Sequence, residues 1–164
     1  MEAVPLAQAD LSRALRWETG SDESSIREML QRCAQELRSL ADEFGVRAGW
    51  TGEGLEVHEY PSGQADIVGF VEPDGVSFYV ELRPPGHYGE AGPTDWEVEA
   101  SVSVRCDSPN DCGMHLVETV SDTTSPTAVE AVRALRESVA RLATRARSEP
   151  IEYWRKVDRR SEHR

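Results

Sequence analysis

Residues 65–82 read ADIVGFVEPDGVSFYVEL, two apolar runs joined by a short polar turn. In the turn, proline presets its own φ, aspartate bonds the local backbone, and glycine accepts a positive φ. This pattern predicts a β-hairpin. If Gly75 forms a bulge, Phe70 faces Phe78 across the hairpin; without a bulge, Val71 takes that place on the same surface. We favour the bulged turn.

Alternation of apolar and polar residues continues on both sides of this hairpin. It is clear at 55–58 and at 96–105, and weaker at 113–120. A period of two is the period of a β-strand. Strands joined in sequence by turn-rich connections predict an antiparallel sheet of four to five strands, with one face in the core and the other in water.

Two amphipathic helices, at 26–44 and 126–148, flank the strand region. Ser25 and Glu28 have the spacing of a capping box before the first helix, and Gly45 is suited to end it. Ser125-Pro126 is a typical start for the second helix. The two apolar stripes predict an α+β fold in which both helices pack on one face of the sheet.

The ends of the chain are more polar than its centre. We expect a polar N-terminal extension over 1–23, a single α+β domain over 24–148, and a short basic C-terminal segment over 149–164. Within the last segment, Tyr153 and Trp154 are expected to dock the end of the chain onto the domain.

Charge is divided by position along the chain. Residues 1–140 hold 10 Lys and Arg against 26 Asp and Glu, whereas residues 141–164 hold 8 against 4. An acidic body repels nucleic acid and anionic membrane, so neither is expected as a partner. The charge favours a cationic protein or peptide instead.

Other features of composition bear on location and origin. The first residues lack the basic and apolar regions of a secretory signal, and no apolar stretch is long enough to span a bilayer, so we expect a cytoplasmic protein. The 17 Arg against one Lys indicate GC-rich codon usage, as in actinobacteria. Three cysteines argue against a disulfide scaffold.

The polar face of the predicted sheet is the strongest candidate for a binding site. Carboxylates steer cations and tyrosine is an amphipathic anchor, so the combination predicts a docking surface for a basic partner. The alternative is an ordinary solvated sheet face. The candidate residues, placed on this face by period two, are Glu56, His58, Tyr60, Tyr79, Glu81, Glu97 and Glu99.

The loop at 83–95 is rich in proline and glycine and carries Arg83, His87, Tyr88 and Glu90. Long structureless loops are often functional. We expect His87 and Tyr88 to lie at the rim of the docking surface. In the alternative function, a small-ligand-binding protein or an enzyme, this loop would carry the site. A mobile connection between two strands would need the same residues.

Cys106, Cys112 and His115 form a weak candidate for a zinc site. Their spacing differs from that of common zinc knuckles, and a fourth ligand would have to come from elsewhere. An ordinary hairpin loop, or a cross-strand disulfide, explains the same residues. We therefore predict no metal.

The sequence lacks a recognised catalytic or cofactor motif, so no cofactor is predicted either. The features together favour a non-enzymatic acidic protein-binding module of the inhibitor, immunity or chaperone type. A homodimer through an edge strand is a further possibility that the sequence leaves open.

Overall fold

A computed structural model describes residues 1–17, 20–86, 94–106 and 113–162, with side chains as far as Val157. The strands are β1 (Glu2–Pro5), β2 (Leu55–Glu59), β3 (Ala65–Val71), β4 (Val76–Arg83), β5 (Trp96–Arg105) and β6 (Met114–Ser125). The helices are α1 (Leu11–Leu15), α2 (Glu23–Phe44), α3 (Ala128–Ser148) and α4 (Ile151–Glu162).

The six strands form one antiparallel sheet in the order β1-β2-β3-β4-β5-β6, so each strand pairs with its neighbours in sequence. The predicted α+β class with an antiparallel sheet is confirmed. The predicted count of four to five strands and two helices is wrong, since the described residues hold six strands and four helices. The strand missed at the N-terminus, β1, has only four residues, and its burial does not alternate.

The first long helix, α2, begins earlier than predicted, and the second, α3, begins later, because other residues cap them. The carboxylate of Asp22 accepts a hydrogen bond from the Ser25 N–H, so α2 starts before Ser25 instead of after it. Gly45 ends α2 in the left-handed conformation, as predicted. In α3 the cap is Thr127, because Ser125 is the last residue of β6.

The turn between β3 and β4 contradicts the predicted bulge. Asp74 and Gly75 both have positive φ, 50° and 81°, as in a two-residue type I′ turn. The Val76 N–H donates to the Pro73 carbonyl and closes the turn. Val71 consequently pairs with Phe78, and Phe70 lies on the opposite face of the sheet.

One face of the sheet lies under the helices. The stripes of α2 and α3 pack on it, and Trp154 of α4 reaches the same core, where it meets Phe78 edge-on with ring centroids 6.0 Å apart. Leu11 and Leu15 of α1 are also fully or almost fully buried there. Side chains from both ends of the chain therefore belong to this core.

Two arginines near the C-terminus form ion pairs with glutamates of the same chain. Arg145 donates to both carboxylate oxygens of Glu118 on β6, at 2.8 and 3.0 Å, and its guanidinium lies 4.7 Å from the Trp154 ring centroid. Arg147 of α3 binds Glu43 of α2. In the described ranges, no helix has both the length and the apolar character needed to cross a membrane.

Candidate functional site

The sheet face that points away from the helices is called the open face here. The strand registers place on it the polar residues of β2, β4 and β5 and every second residue of β3. The open face includes Glu56, His58, Asp66, Val68, Phe70, Tyr79, Glu81, Arg83, Glu97, Glu99 and Asp122.

A row of carboxylates crosses the open face at right angles to the strands. Residues that pair in register from β2 to β6 form this row, in which Val68 of β3 separates the carboxylate of Glu56 from those of Glu81, Glu99 and Asp122. Strands are about 4.8 Å apart, so the row extends for about 19 Å. Carboxylates directly opposite one another repel, and the sheet must offset that repulsion.

Arg83 offsets it. This side chain is 11% exposed, and each of its guanidinium nitrogens donates to a different glutamate. Nη1 lies 3.0 Å from Glu81, Nε lies 3.0 Å from Glu97, and Nη2 lies 3.4 Å from Glu99. A planar guanidinium can hold several carboxylates in fixed directions, which an ammonium group cannot do.

Asp66 lies beside this cluster and is fully buried. Burial and the neighbouring Glu81 carboxylate raise the pKa of Asp66 to about 8, although a hydrogen bond with Tyr60 and the charge of Arg83 act in the opposite direction. Burial and the Glu81 charge both favour the protonated form of the Asp66 carboxyl. In that form the group adds a hydrogen-bond donor to the cluster and not a further negative charge.

Tyr79 completes the cluster on β4. Its hydroxyl donates to Glu81 at 3.1 Å. Burial, with the charge of Glu81, raises the pKa of Tyr79 well above its usual value, so the hydroxyl stays protonated and remains a donor.

Glu56 forms a second cluster at the other end of the row. Its Oε1 accepts hydrogen bonds from the Trp50 N–H at 2.9 Å, the Thr51 N–H at 3.2 Å and the Thr51 hydroxyl at 3.3 Å. Its Oε2 lies 2.9 Å from Nε2 of His58. Burial would raise the pKa of Glu56, but these hydrogen bonds outweigh it and keep the pKa below its usual value.

Gly49 makes this approach possible. It has a φ of 66°, and a Cβ at this position would lie 2.2 Å from Oε1 of Glu56. Any other residue would be strained here and would displace the carboxylate. The Gly49 N–H also donates to the Phe70 carbonyl at 2.8 Å, which fixes the loop to β3.

The structure places the predicted site residues in two groups. Tyr79, Glu81, Glu97 and Glu99 meet around Arg83 and are partly accessible, with Glu97 21% and Glu99 32% exposed. Glu56 and His58 lie on the same face but are buried under the loop that carries Trp50, so they position that loop. Tyr60 is half-buried and contacts Asp66.

His87 and Tyr88, predicted at the rim, lie outside the described residues, as does Glu90. Arg83 belongs to β4 and to the open face, and not to the loop where the sequence placed it. The described start of the loop, at Pro84 and Pro85, lines a small cavity of about 170 Å³ together with Trp96.

A larger cleft of about 620 Å³ lies next to this cavity, between α1 and the β2–β3 hairpin. Arg13, Arg16, Tyr60 and Gln64 are among the residues that line it. Its size suits a small molecule. The cleft shares Arg16 and Gln64 with the smaller cavity, so the two adjoin.

The zinc candidate rests partly on Cys112, which lies outside the described residues. Cys106 is buried, and His115 pairs in register with Val104. In the described part of the chain, no three His, Cys, Asp or Glu residues are grouped so as to hold a metal ion.

Three residues of the open face were missed by the sequence reasoning: Trp50, Asp66 and Asp122. Asp66 lies in an apolar run that is buried on both faces, so alternation could not single it out. Asp122 lies beyond two register shifts in β5–β6 pairing, which break the period of two. The glycines at 49, 52 and 54 were the only sign that Trp50 sits in a tight loop.

No family model matches the chain, and searches of curated proteins and of solved structures found no similar protein.

Replacing Arg83 by alanine should lower the free energy of unfolding by about 2–3 kcal/mol, because three partly buried carboxylates would lose their shared cation. Urea unfolding measures this loss. Adding Glu97→Gln and Glu99→Gln to Arg83→Ala should restore part of the stability, since repulsion is then removed. The control is Arg105→Ala, an exposed arginine at the far end of β5. An equal loss in both single variants would contradict this account of the cluster.

Asp66→Asn should change how stability depends on pH. Asp66 has a pKa of about 8 in the fold against 3.8 for the ordinary group, so its contribution is fully present below about pH 4 and is lost as pH rises through 8. Relative to wild type, Asp66→Asn should therefore become progressively more stable as pH rises from about 4 to about 8. Unfolding free energies of both proteins across this range test it, with the exposed Asp122→Asn as control. A difference that does not change with pH would contradict the assignment.

Proposed function

We propose that the protein is a non-enzymatic acidic binding module that holds a basic protein or peptide against the open face of its sheet. The observation that carries the proposal is the sharing of a single guanidinium by three glutamates. Arg83 balances only one of the three negative charges around it. A cationic group from a partner would balance the rest.

The accessible atoms of the cluster support this proposal. The hydrogen bonds from Arg83 to Glu97 and Glu99 use Oε2 of each carboxylate, and the two side chains are 21% and 32% exposed. Asp122, exposed and paired in register with Glu99, extends the negative surface to β6. A partner could therefore reach carboxylate oxygens without breaking the internal contacts of Arg83.

Apolar side chains border the same face. Trp50 is 55% exposed at the β2 side, and Leu116 is 58% exposed on β6, where it pairs in register with Ser103. Protein interfaces combine exposed aromatic or aliphatic anchors with charges that steer the approach. The combination favours a protein partner over an inorganic cation.

The module would act as an inhibitor, an immunity protein or a chaperone for a basic partner. Nucleic acid and anionic membrane are unsuitable partners for a chain of net charge −12. Cytoplasmic location and a possible homodimer stay predictions.

A second candidate function, the binding of a small ligand with or without catalysis, is favoured by the 620 Å³ cleft beside α1. Arg13 and Arg16 would bind an anionic ligand there. We prefer the open face as the binding site because it accounts for the excess of acidic over basic residues in the chain, whereas the cleft does not. A melting temperature that rises with an anionic metabolite, and no longer rises in Arg16→Ala, would favour the cleft.

The proposal is tested with a charge variant of the open face, Glu99→Gln with Asp122→Lys. Glu97 is left intact because its contact with Nε of Arg83, at 3.0 Å, is shorter than the contact of Glu99 with Nη2, at 3.4 Å. The control has the same change of net charge on the helical side, Glu137→Gln with Asp42→Lys; both control residues are exposed.

Wild type and both variants would be immobilised and used to capture proteins from a lysate of the source organism at low salt. We expect a basic protein to bind wild type and the control alike, and to bind the open-face variant at least about tenfold less, because opposite charges across an interface speed association. Equal recovery on all three proteins, or recovery of acidic proteins only, would contradict the proposal.

A further inference from the structure

Trp50 is exposed over 55% of its surface, yet it is held firmly in place. Its backbone N–H donates to the buried Glu56 carboxylate, and the loop before it is bonded to β3 through Gly49. Large exposed aromatic side chains with fixed backbones lose little conformational entropy when they bind, which makes them effective anchors.

The contacts of the indole show which surface is left for a ligand. The ring of His58 stacks on it almost in parallel, with centroids 5.0 Å apart and planes 8° apart. Phe70 meets it at 80° with centroids 5.8 Å apart. His58 and Phe70 therefore each cover part of the indole, and the exposed 55% of Trp50 lies away from these two contacts.

The open face beside Trp50 is anionic. Beyond the buried Glu56, the accessible carboxylates of Glu81, Glu99 and Asp122 follow across the sheet, two to four strand spacings from β2. The negative face of an aromatic ring attracts cations, and a guanidinium can also stack flat on it, whereas an ammonium group cannot. A neutral planar ligand would gain nothing from the carboxylates.

We propose that the exposed surface of Trp50 stacks on an arginine side chain of the partner while a second basic residue binds Glu99 and Asp122. This inference rests on the proposed function and makes its partner more specific: an arginine-containing segment that lies across the strands. Glu99 and Asp122 lie three and four strand spacings from β2, whose His58 stacks on Trp50, at distances of about 14 and 19 Å. An extended segment covers these distances in about four to six residues.

Hexa-arginine and hexa-lysine peptides, labelled with a dye and measured by fluorescence polarisation at low salt, test the proposal. Both carry the same charge, so the carboxylate row attracts both. We expect wild type to bind hexa-arginine about fivefold more tightly than hexa-lysine, in line with a cation–π contact at an exposed site. Trp50→Ala should lower the ratio of the hexa-arginine affinity to the hexa-lysine affinity to about one, and Trp50→Phe should keep part of the difference.

Tyr153→Ala is the matched control, because Tyr153 is an exposed aromatic residue of α4, on the helical side of the sheet and away from the open face. It should leave the ratio of the two affinities unchanged. Glu99→Gln with Asp122→Lys should weaken both peptides and also leave the ratio unchanged. Melting temperatures of all variants would show that each is folded.

Equal affinity of wild type for both peptides, or a ratio that Trp50→Ala does not alter, would overturn the role of Trp50. If both peptides still lose affinity in the charge variant, the proposed function stands without this inference. No binding of hexa-arginine at low salt would overturn the inference as well. Failure of the proposed function itself would appear separately, as equal protein capture by wild type and the charge variant.

Discussion

The open face depends on one guanidinium, that of Arg83. Glu81 and Glu99 lie directly opposite one another on neighbouring strands, and Glu97 pairs in register with Arg83 itself. Without a cation, carboxylates at this spacing would repel and would weaken the pairing of β4 with β5. Arg83 joins all three and fixes their directions. One guanidinium cannot neutralise three carboxylates, so net negative charge remains on this part of the open face. The interaction that stabilises the sheet therefore also belongs to the surface to which we assign binding.

A second fixed point lies at the β2 end of the same row. The Glu56 carboxylate accepts hydrogen bonds from the backbone N–H groups of Trp50 and Thr51. Gly49 permits this approach because it lacks a Cβ. The result is an exposed Trp50 that is already held in one orientation. Both ends of the row are thus ordered in the free protein, which would lower the entropy lost when the proposed partner binds.

Much of the fold could be predicted from local sequence signals, and the exceptions have physical causes. Alternation at Trp96–Arg105 and the stripe of α2 were sufficient to place an antiparallel sheet under helices. The Asp74-Gly75 pair was enough to predict a hairpin, but the choice between two turn types decided the register of Val71. The bulged turn that we favoured was the wrong one, since Asp-Gly is also typical of the type I′ turn. Asp66 and Arg83 could not be assigned to the site, because β3 is buried on both faces and Arg83 is followed by a Pro-Gly loop.

The central claim is that a cationic partner binds the open face. The most direct measurement is an NMR titration of the ¹⁵N-labelled protein with hexa-arginine at low salt. The account predicts shifts of the Trp50 indole N–H and of the backbone amides of Glu81, Glu99 and Asp122, with the helical side unchanged. Shifts centred on α2 or α3, or no shifts at a large excess of peptide, would contradict it.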